Sequence, residues 1–476
     1  MSAQAAAPAK PLRYTDPAEF TPHFGWRSVK QHSSQQVFCE DVSLPEIAAR
    51  FATPAYVYSR AAVESAFRDL DRGLGSLPHT LCFAVKSNGN LSILKLLVQL
   101  GSGFDIVSGG ELEHLSHLGV PGEKIVFSGV GKTREEIREA LRYRLRGKSG
   151  KLGLLLFNIE SEAELDVLLQ ESSKQMKRGG EAPSVSIRVN PDVQAGGHPH
   201  ISTGYRDHKF GLDWDAAREL YIKHRSTKWI QWHGISAHIG SQITALQPFQ
   251  QALGRLAGFV RELRELGIAL KYLDFGGGLG VRYSDQKPPA RLDYARMVAK
   301  IVKPLGIHLL LEPGRTIIAP AGILLTRVLY TKTNRNKTFV VVDAAMNDLL
   351  RPALYSAVHP ITCVTRSKNE KLGVKRVDIV GPVCETGDSF ASGRELPPLA
   401  EDDLVALTSA GAYGAVMSST YNSRLLVPEV LVSGARFAVI RARPSYDAML
   451  GLDAIPEWLE EPARPALRAV PGGGAT

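Results

Sequence analysis

The sequence predicts an α/β fold: a parallel (β/α)8 TIM-type barrel followed by a C-terminal, mainly antiparallel β domain. Two observations carry that prediction. Eight short apolar runs, each closing on polar residues or glycine, recur through the first two thirds of the chain with helix-period segments between them. After Arg315 the texture changes to β-branched runs without long helices.

Residues 1–36 lack periodicity and read as a partly disordered N-terminal arm; the first fourteen are Ala-rich and mildly basic, without the apolar core of a secretory signal. Segment 37–59 is a lead-in contributing to the β domain, with strand-like stretches at 37–41 and 54–59 around a helix-like 45–51. Residues 60–316 form the barrel, its strands expected at 81–90, 104–108, 125–129, 154–158, 185–190, 234–240, 272–278 and 309–314. Between them, 92–100 and 110–118 show helical apolar spacing, while 146–151 and 172–183 read as polar surface loops. Runs at 322–330, 338–343, 377–380, 403–407 and 436–440 place the β domain at 317–445, and the Pro- and Gly-rich 446–476 reads as a fraying tail.

A chain of 476 residues with 44% apolar content can bury a large core and hold two domains. Four cysteines (Cys39, Cys82, Cys363, Cys384), too few and scattered for a disulfide framework, fit a reducing cytoplasm, and no spacing points to a metal. No apolar run reaches membrane-spanning length. The net charge of +9 comes from bases interleaved with acids, which excludes a nucleic-acid footprint and leaves a modest preference for anionic small molecules.

Active sites of such barrels lie at the carboxyl ends of the strands, where Lys86, Asp105, His238, the Gly276-Gly277-Gly278 triplet and Glu312 converge. A strand-end lysine plus a glycine cluster is what pyridoxal phosphate requires: an amine to bond its aldehyde, and small residues that let backbone N–H groups approach its phosphate. Glu312 in Glu312-Pro-Gly-Arg315 supplies a carboxylate to keep a pyridine nitrogen protonated, and His238 could lie flat on the ring. Taken one at a time, each has a plainer reading: a solvated strand end, a turn, a core histidine.

Together, Phe83-Ala-Val-Lys86-Ser-Asn, Phe104-Asp-Ile-Val-Ser-Gly-Gly-Glu111, Ala237-His-Ile-Gly-Ser-Gln242, Gly276-Gly-Gly-Leu-Gly280, Glu312-Pro-Gly-Arg315, Gly381-Pro-Val-Cys-Glu-Thr-Gly-Asp388 and Gly411-Ala-Tyr-Gly414 followed by Tyr421-Asn422 resemble the fold-type III pyridoxal-phosphate decarboxylases across residues 37–445. Ile201-Ser-Thr-Gly204 with Lys209-Phe-Gly211 is similar to the diaminopimelate branch. The resemblance implies a homodimer with shared active sites and the cofactor on Lys86 beneath His238. It implies phosphate contacts from Ser241, Gly278, Gly314 and Tyr421, with Arg315 near both phosphate and substrate. It implies that Arg351 and Tyr355 bind the distal carboxylate of meso-diaminopimelate, where a guanidinium suits the task. From the partner subunit, Glu385 would pair with the distal ammonium and Cys384 would return a proton after carbon dioxide leaves. Cys39, Cys82 and Cys363 read as structural, with nothing nearby to lower a thiol pKa.

The implied reaction is decarboxylation of meso-diaminopimelate to L-lysine, the last step of lysine biosynthesis. The rivals are decarboxylation of another basic amino acid or carboxylated polyamine (ornithine, arginine, carboxynorspermidine) and a non-catalytic regulatory homologue. A racemase would suit an arginine where Glu312 stands.

Overall fold

The computed structural model describes residues 16–29, 34–143, 153–193, 209–367 and 373–459. The polar loop expected at 146–151 and the Ile201-Ser-Thr-Gly204 motif lie outside the described residues.

The chain opens with strands β1 (Phe24–Val29), β2 (Ser34–Cys39), β3 (Val42–Ser43) and β4 (Ala55–Ser59). The first of these corrects the expectation of an unpatterned arm: β1 pairs antiparallel with β2 from Phe24 against Cys39 to Val29 against Ser34. Only Phe24 on that strand is buried, so the alternation that marks a strand is nearly absent from its sequence.

All eight expected barrel strands form: β5 (His79–Ala84), β6 (Gly103–Ile106), β7 (Ile125–Phe127), β8 (Leu156–Ile159), β9 (Ser184–Arg188), β10 (Gln231–Ser236), β11 (Tyr272–Asp274) and β12 (His308–Leu311). They close in chain order, each parallel to the next, with β12 returning to β5. Short polar side chains start several of the helices around the barrel. Ser59 caps Arg60–Leu74, Asn90 caps Leu91–Gln99, and Thr133 forms a capping box with Glu136 on Arg134–Arg142. The helix Glu162–Met176 runs through the first residues of the loop expected at 172–183, with Ser172 buried and donating to Trp229 O; sparse apolar residues at its end hide the helix.

Inside the barrel the two-residue period sorts side chains into layers. Cys82, Val126, Leu156 and Leu310 form a separate buried cluster from the core beneath the helices. Two residues further along their strands stand Asn158 and Glu312, joined at the same level by Asp105, Ser186 and Asp274, all buried. The barrel thus has an apolar floor and a polar layer above it, at the strand ends.

Beyond the barrel run β13 (Gly322–Asn334), β14 (Lys337–Val342), β15 (Ile361–Cys363), β16 (Thr365–Ser367), β17 (Lys375–Val380), β18 (Ser389–Leu396), β19 (Leu404–Leu407), β20 (Glu429–Ser433) and β21 (Arg436–Arg441). A nine-stranded sheet orders as β18-β17-β14-β13-β4-β20-β21, with β19 on β13 and β15 on β19. It is mixed but mostly antiparallel, since β14–β17 and β4–β20 are its parallel pairs. β1, β2, β3 and β16 form a second small sheet. Short helices at Tyr446–Leu450 and Glu457–Leu459 give structure to the first part of the expected tail.

Candidate active site

Lys86 sits in a single helical turn, Val85–Ser87, directly after β5. The turn is fixed from outside the barrel: Tyr413 N–H donates to Ser87 O at 2.9 Å, and Asn88 Nδ2 donates to Gly411 O at 3.2 Å. The Lys86 amine donates to Asp105 Oδ2 at 2.8 Å. Burial pushes that amine's pKa down, but the Asp105 and Glu312 carboxylates outweigh it and hold it above the ordinary value. Asp105 is fully buried, and among the described residues its Oδ1 has no hydrogen-bond partner.

Glu312 follows β12 and accepts from Ser128 Oγ at 3.2 Å. Burial, then the Asp105 and Asp274 carboxylates, push its pKa well above the carboxylate range. His238, half-buried after β10, accepts the Gly277 N–H on Nδ1 at 3.1 Å, and burial followed by Arg188 and Lys86 drives its pKa well down, so it is neutral.

The glycine triplet is a packing requirement. A Cβ at Gly276 would lie 2.6 Å from His238 Nδ1, one at Gly277 would strike the Glu312 carbonyl oxygen, and one at Gly278 would strike that of Gly240. Gly276 and Gly278 also adopt φ of 64° and 105°. Gly277→Ala is therefore expected to cost about 1–3 kcal/mol of stability, read as a lower Tm; an unchanged Tm would contradict the close approach.

Lys86, His238, Ser241, Gly276, Gly277, Gly278, Glu312, Gly314, Arg315, Arg351 and Tyr355 all line one cavity of about 570 Å3. An adjoining chamber of about 400 Å3 shares Lys86, His238 and Glu312. Two guanidinium groups enter the larger cavity. Arg315 donates to Ser241 Oγ at 3.2 and 3.0 Å and to Tyr283 Oη at 3.0 Å, and stands 4.8 Å from the Tyr413 ring. Arg351 stands 4.9 Å from the Tyr283 ring and donates to His359 Nε2 at 2.9 Å. His359 Nδ1 contacts Thr408 O at 3.0 Å, and burial, then Arg351, pushes its pKa down to about 3, so this partner is neutral. Both arginines are buried, and among the described residues no ion pair to a carboxylate engages either. Two buried cations held by hydroxyls and an imidazole call for anionic ligand groups.

The structure does not bring every expected residue here. Tyr421, expected at the phosphate, is 47% exposed and donates to Glu385 Oε2 at 3.0 Å. It lies with exposed Cys384, whose Sγ is 3.7 Å from Asn422 Nδ2, and none of the three lines the cavity. Tyr413, by contrast, lines the cavity beside Arg315 and is held at φ 55°, in the left-handed region that non-glycine residues seldom adopt. Its place in Gly411-Ala-Tyr-Gly414 was the available signal. Tyr283, Asp274 and Asn158 also escaped sequence reasoning. Cys39, Cys82 and Cys363 are buried, with thiols pushed up by burial, Cys363 to about 12, as inert structural residues require.

Pyridoxal phosphate fits this donor set. The site offers an amine beside a buried carboxylate with one acceptor unfilled among the described residues, a second buried carboxylate in Glu312, backbone packed where no Cβ has room, and uncompensated arginines. Among the described residues no helix is long and apolar enough to cross a membrane, and no acid, histidine or cysteine group could hold a metal ion.

Residues 60–319 match the family described as pyridoxal-dependent decarboxylase, pyridoxal binding domain. The chain is 48% identical over 423 residues to a diaminopimelate decarboxylase of Pseudomonas fluorescens, covering 89% of this chain and 98% of that protein. Among solved structures, the diaminopimelate decarboxylase of Helicobacter pylori complexed with L-lysine matches with a TM-score of 0.79 at 36% identity, over 86% of this chain and 98% of that one. That of M. jannaschii in co-complex with L-lysine matches with a TM-score of 0.82 at 33% identity, over 94% and 100%.

Proposed function

The chain belongs to the diaminopimelate decarboxylase family of pyridoxal-dependent decarboxylases, and from that premise we propose how its residues divide the work of converting meso-2,6-diaminopimelate to L-lysine and carbon dioxide. The observation that carries the reading is the pair of buried arginines without carboxylate partners in the cavity that Lys86 enters.

Lys86, His238, Ser241, the 276–278 glycines, Glu312, Gly314 and Arg315 would hold pyridoxal phosphate, with Tyr413 in the place expected of Tyr421. When bound, the cofactor supplies an aldehyde that captures amines and a protonated ring that accepts the electron pair left as carbon dioxide departs. Asp105 is the base within reach of the Lys86 ammonium proton. Glu312, enclosed in the barrel mouth, holds a proton at the ring nitrogen's edge of the site. Arg351 and Tyr355 hold the substrate's distal carboxylate, the feature that separates this substrate from ornithine and arginine. Balance requires one carbon–carbon bond broken and one proton added at the α-carbon.

The donor of that proton is Cys384 of a second copy of the chain, whose Glu385 takes the distal ammonium. The exposure of Cys384, Glu385 and Tyr421 outside their own cavity supports this division, and the unpaired cysteines suit a reducing cytoplasm. Mixing inactive Lys86→Ala and Glu385→Ala proteins should then restore about a quarter of wild-type activity, since half of randomly reassorted dimers carry one intact site. A mixture as inactive as its components would defeat the shared site.

Steady-state kinetics with meso-diaminopimelate, ornithine and arginine test the substrate. A preference for either of the last two would overturn the assignment. Arg351→Met should lower kcat/KM for meso-diaminopimelate by at least about 30-fold, the cost of truncating one side of a buried charged pair. An unchanged value would remove Arg351 from substrate recognition.

A further inference from the structure

One buried amide in the polar layer reaches both sides of the candidate ring site. Asn158 on β8 accepts from Ser186 Oγ on β9 through Oδ1. Its Nδ2 donates to Asp274 Oδ2 on β11 at 2.8 Å and to Ser128 Oγ beyond β7 at 3.0 Å. The amide carbonyl and both N–H bonds are thereby used. Two chains of contact leave it. Along the first, Ser128 Oγ, which accepts from Asn158, donates to Glu312 Oε1 at 3.2 Å. Along the second, Asp274 Oδ1 accepts the Gly276 N–H at 3.0 Å, and the next N–H, of Gly277, donates to His238 Nδ1 at 3.1 Å.

We propose that Asn158 is a positioning residue for decarboxylation, holding the Glu312 carboxyl group and the His238 ring in one register through Ser128 and Asp274. This rests on the reading in which Glu312 faces the ring nitrogen of bound pyridoxal phosphate and His238 its face. Packing alone does not account for the arrangement. An aliphatic side chain would fill the barrel at this level without burying polar atoms, whereas Asn158 spans non-neighbouring strands, β8 and β11, and satisfies a fully buried carboxylate there. The network fixes where two groups sit relative to each other, which matters to chemistry at a ring and not to the stability of an empty barrel.

The test uses the holoenzyme, with Asn158→Ala, Ser128→Ala and Ser128→Thr compared with wild type. Cofactor absorbance per subunit, recorded without substrate, reads binding and the electronic state of the ring; kcat and KM read turnover. Expected are wild-type cofactor content, a displaced absorbance band, KM within about twofold and kcat lowered about tenfold, the lower range for losing a supporting contact of this kind, in both alanine variants. Ser128→Thr, which keeps the hydroxyl and borders the smaller chamber, should recover kcat and the band. Unchanged kcat and spectrum in both alanine variants overturn the proposal. So does a parallel fall of kcat, cofactor content and Tm, because that would be a structural role only. If borohydride links no cofactor to Lys86 of the wild type, the underlying reading falls as well; if it does and the variants behave as wild type, only this proposal falls.

Discussion

Lys86→Ala is expected to lower turnover of meso-diaminopimelate by about four orders of magnitude, the upper range for removing a group that handles covalent and proton chemistry together. Borohydride reduction of the wild type in the presence of pyridoxal phosphate, followed by peptide mapping, should place the reduced adduct on the peptide containing residue 86, and the variant should give none. Adduct on a different lysine would remove the basis for every role assigned around the cavity. The variant also leaves Asp105 buried without its ammonium partner, so its Tm should drop.

Glu312→Ala is the second large effect. Turnover should fall about 10²–10³-fold, as for removal of an electrostatic group aimed at charge developing in the transition state, while cofactor content stays near that of the wild type. Intact turnover would disprove the role of this carboxylate at the ring. A companion measurement follows from its raised pKa, caused by burial and by Asp105 and Asp274. An acid whose pKa is raised on folding contributes stability that is present below its unfolded value and is lost as pH rises. Without cofactor, Glu312→Gln lacks that loss, so its Tm relative to wild type should climb as pH increases from about 4.5. A flat difference would mean that Glu312 titrates normally.

The barrel was legible because buried parallel strands are nearly continuous apolar runs and their polar terminators repeat at regular spacing. Lys86, His238, the glycine triplet, Glu312 and Arg315 sit at those terminators, so position along a strand located them. Residues whose importance comes from a contact across the barrel carry no such mark. Asn158 reads as an ordinary strand end and Asp274 as one acid before a turn, and only closure of the sheet brings them 2.8 Å apart. Telling Tyr421 from Tyr413 is hard from sequence for a related reason. Both follow glycine or small residues, and what separates them is a backbone conformation and a neighbouring guanidinium that spacing does not encode. β1 went unseen because one buried phenylalanine in six residues leaves no alternation to read.

The placement of β4 has a consequence for how this molecule is made. Residues Ala55–Ser59 emerge from the ribosome before the barrel, yet their neighbours on both sides, β13 and β20, come after it. All five are buried in the finished fold, so throughout translation of the barrel a strand rich in Tyr and Val waits with both edges open, the situation that invites association with other nascent chains. A fragment ending at the last barrel strand would keep that liability permanently. Expression of the barrel alone should therefore yield aggregate, and refolding of the full chain should slow as its late, long-range strand pairings form.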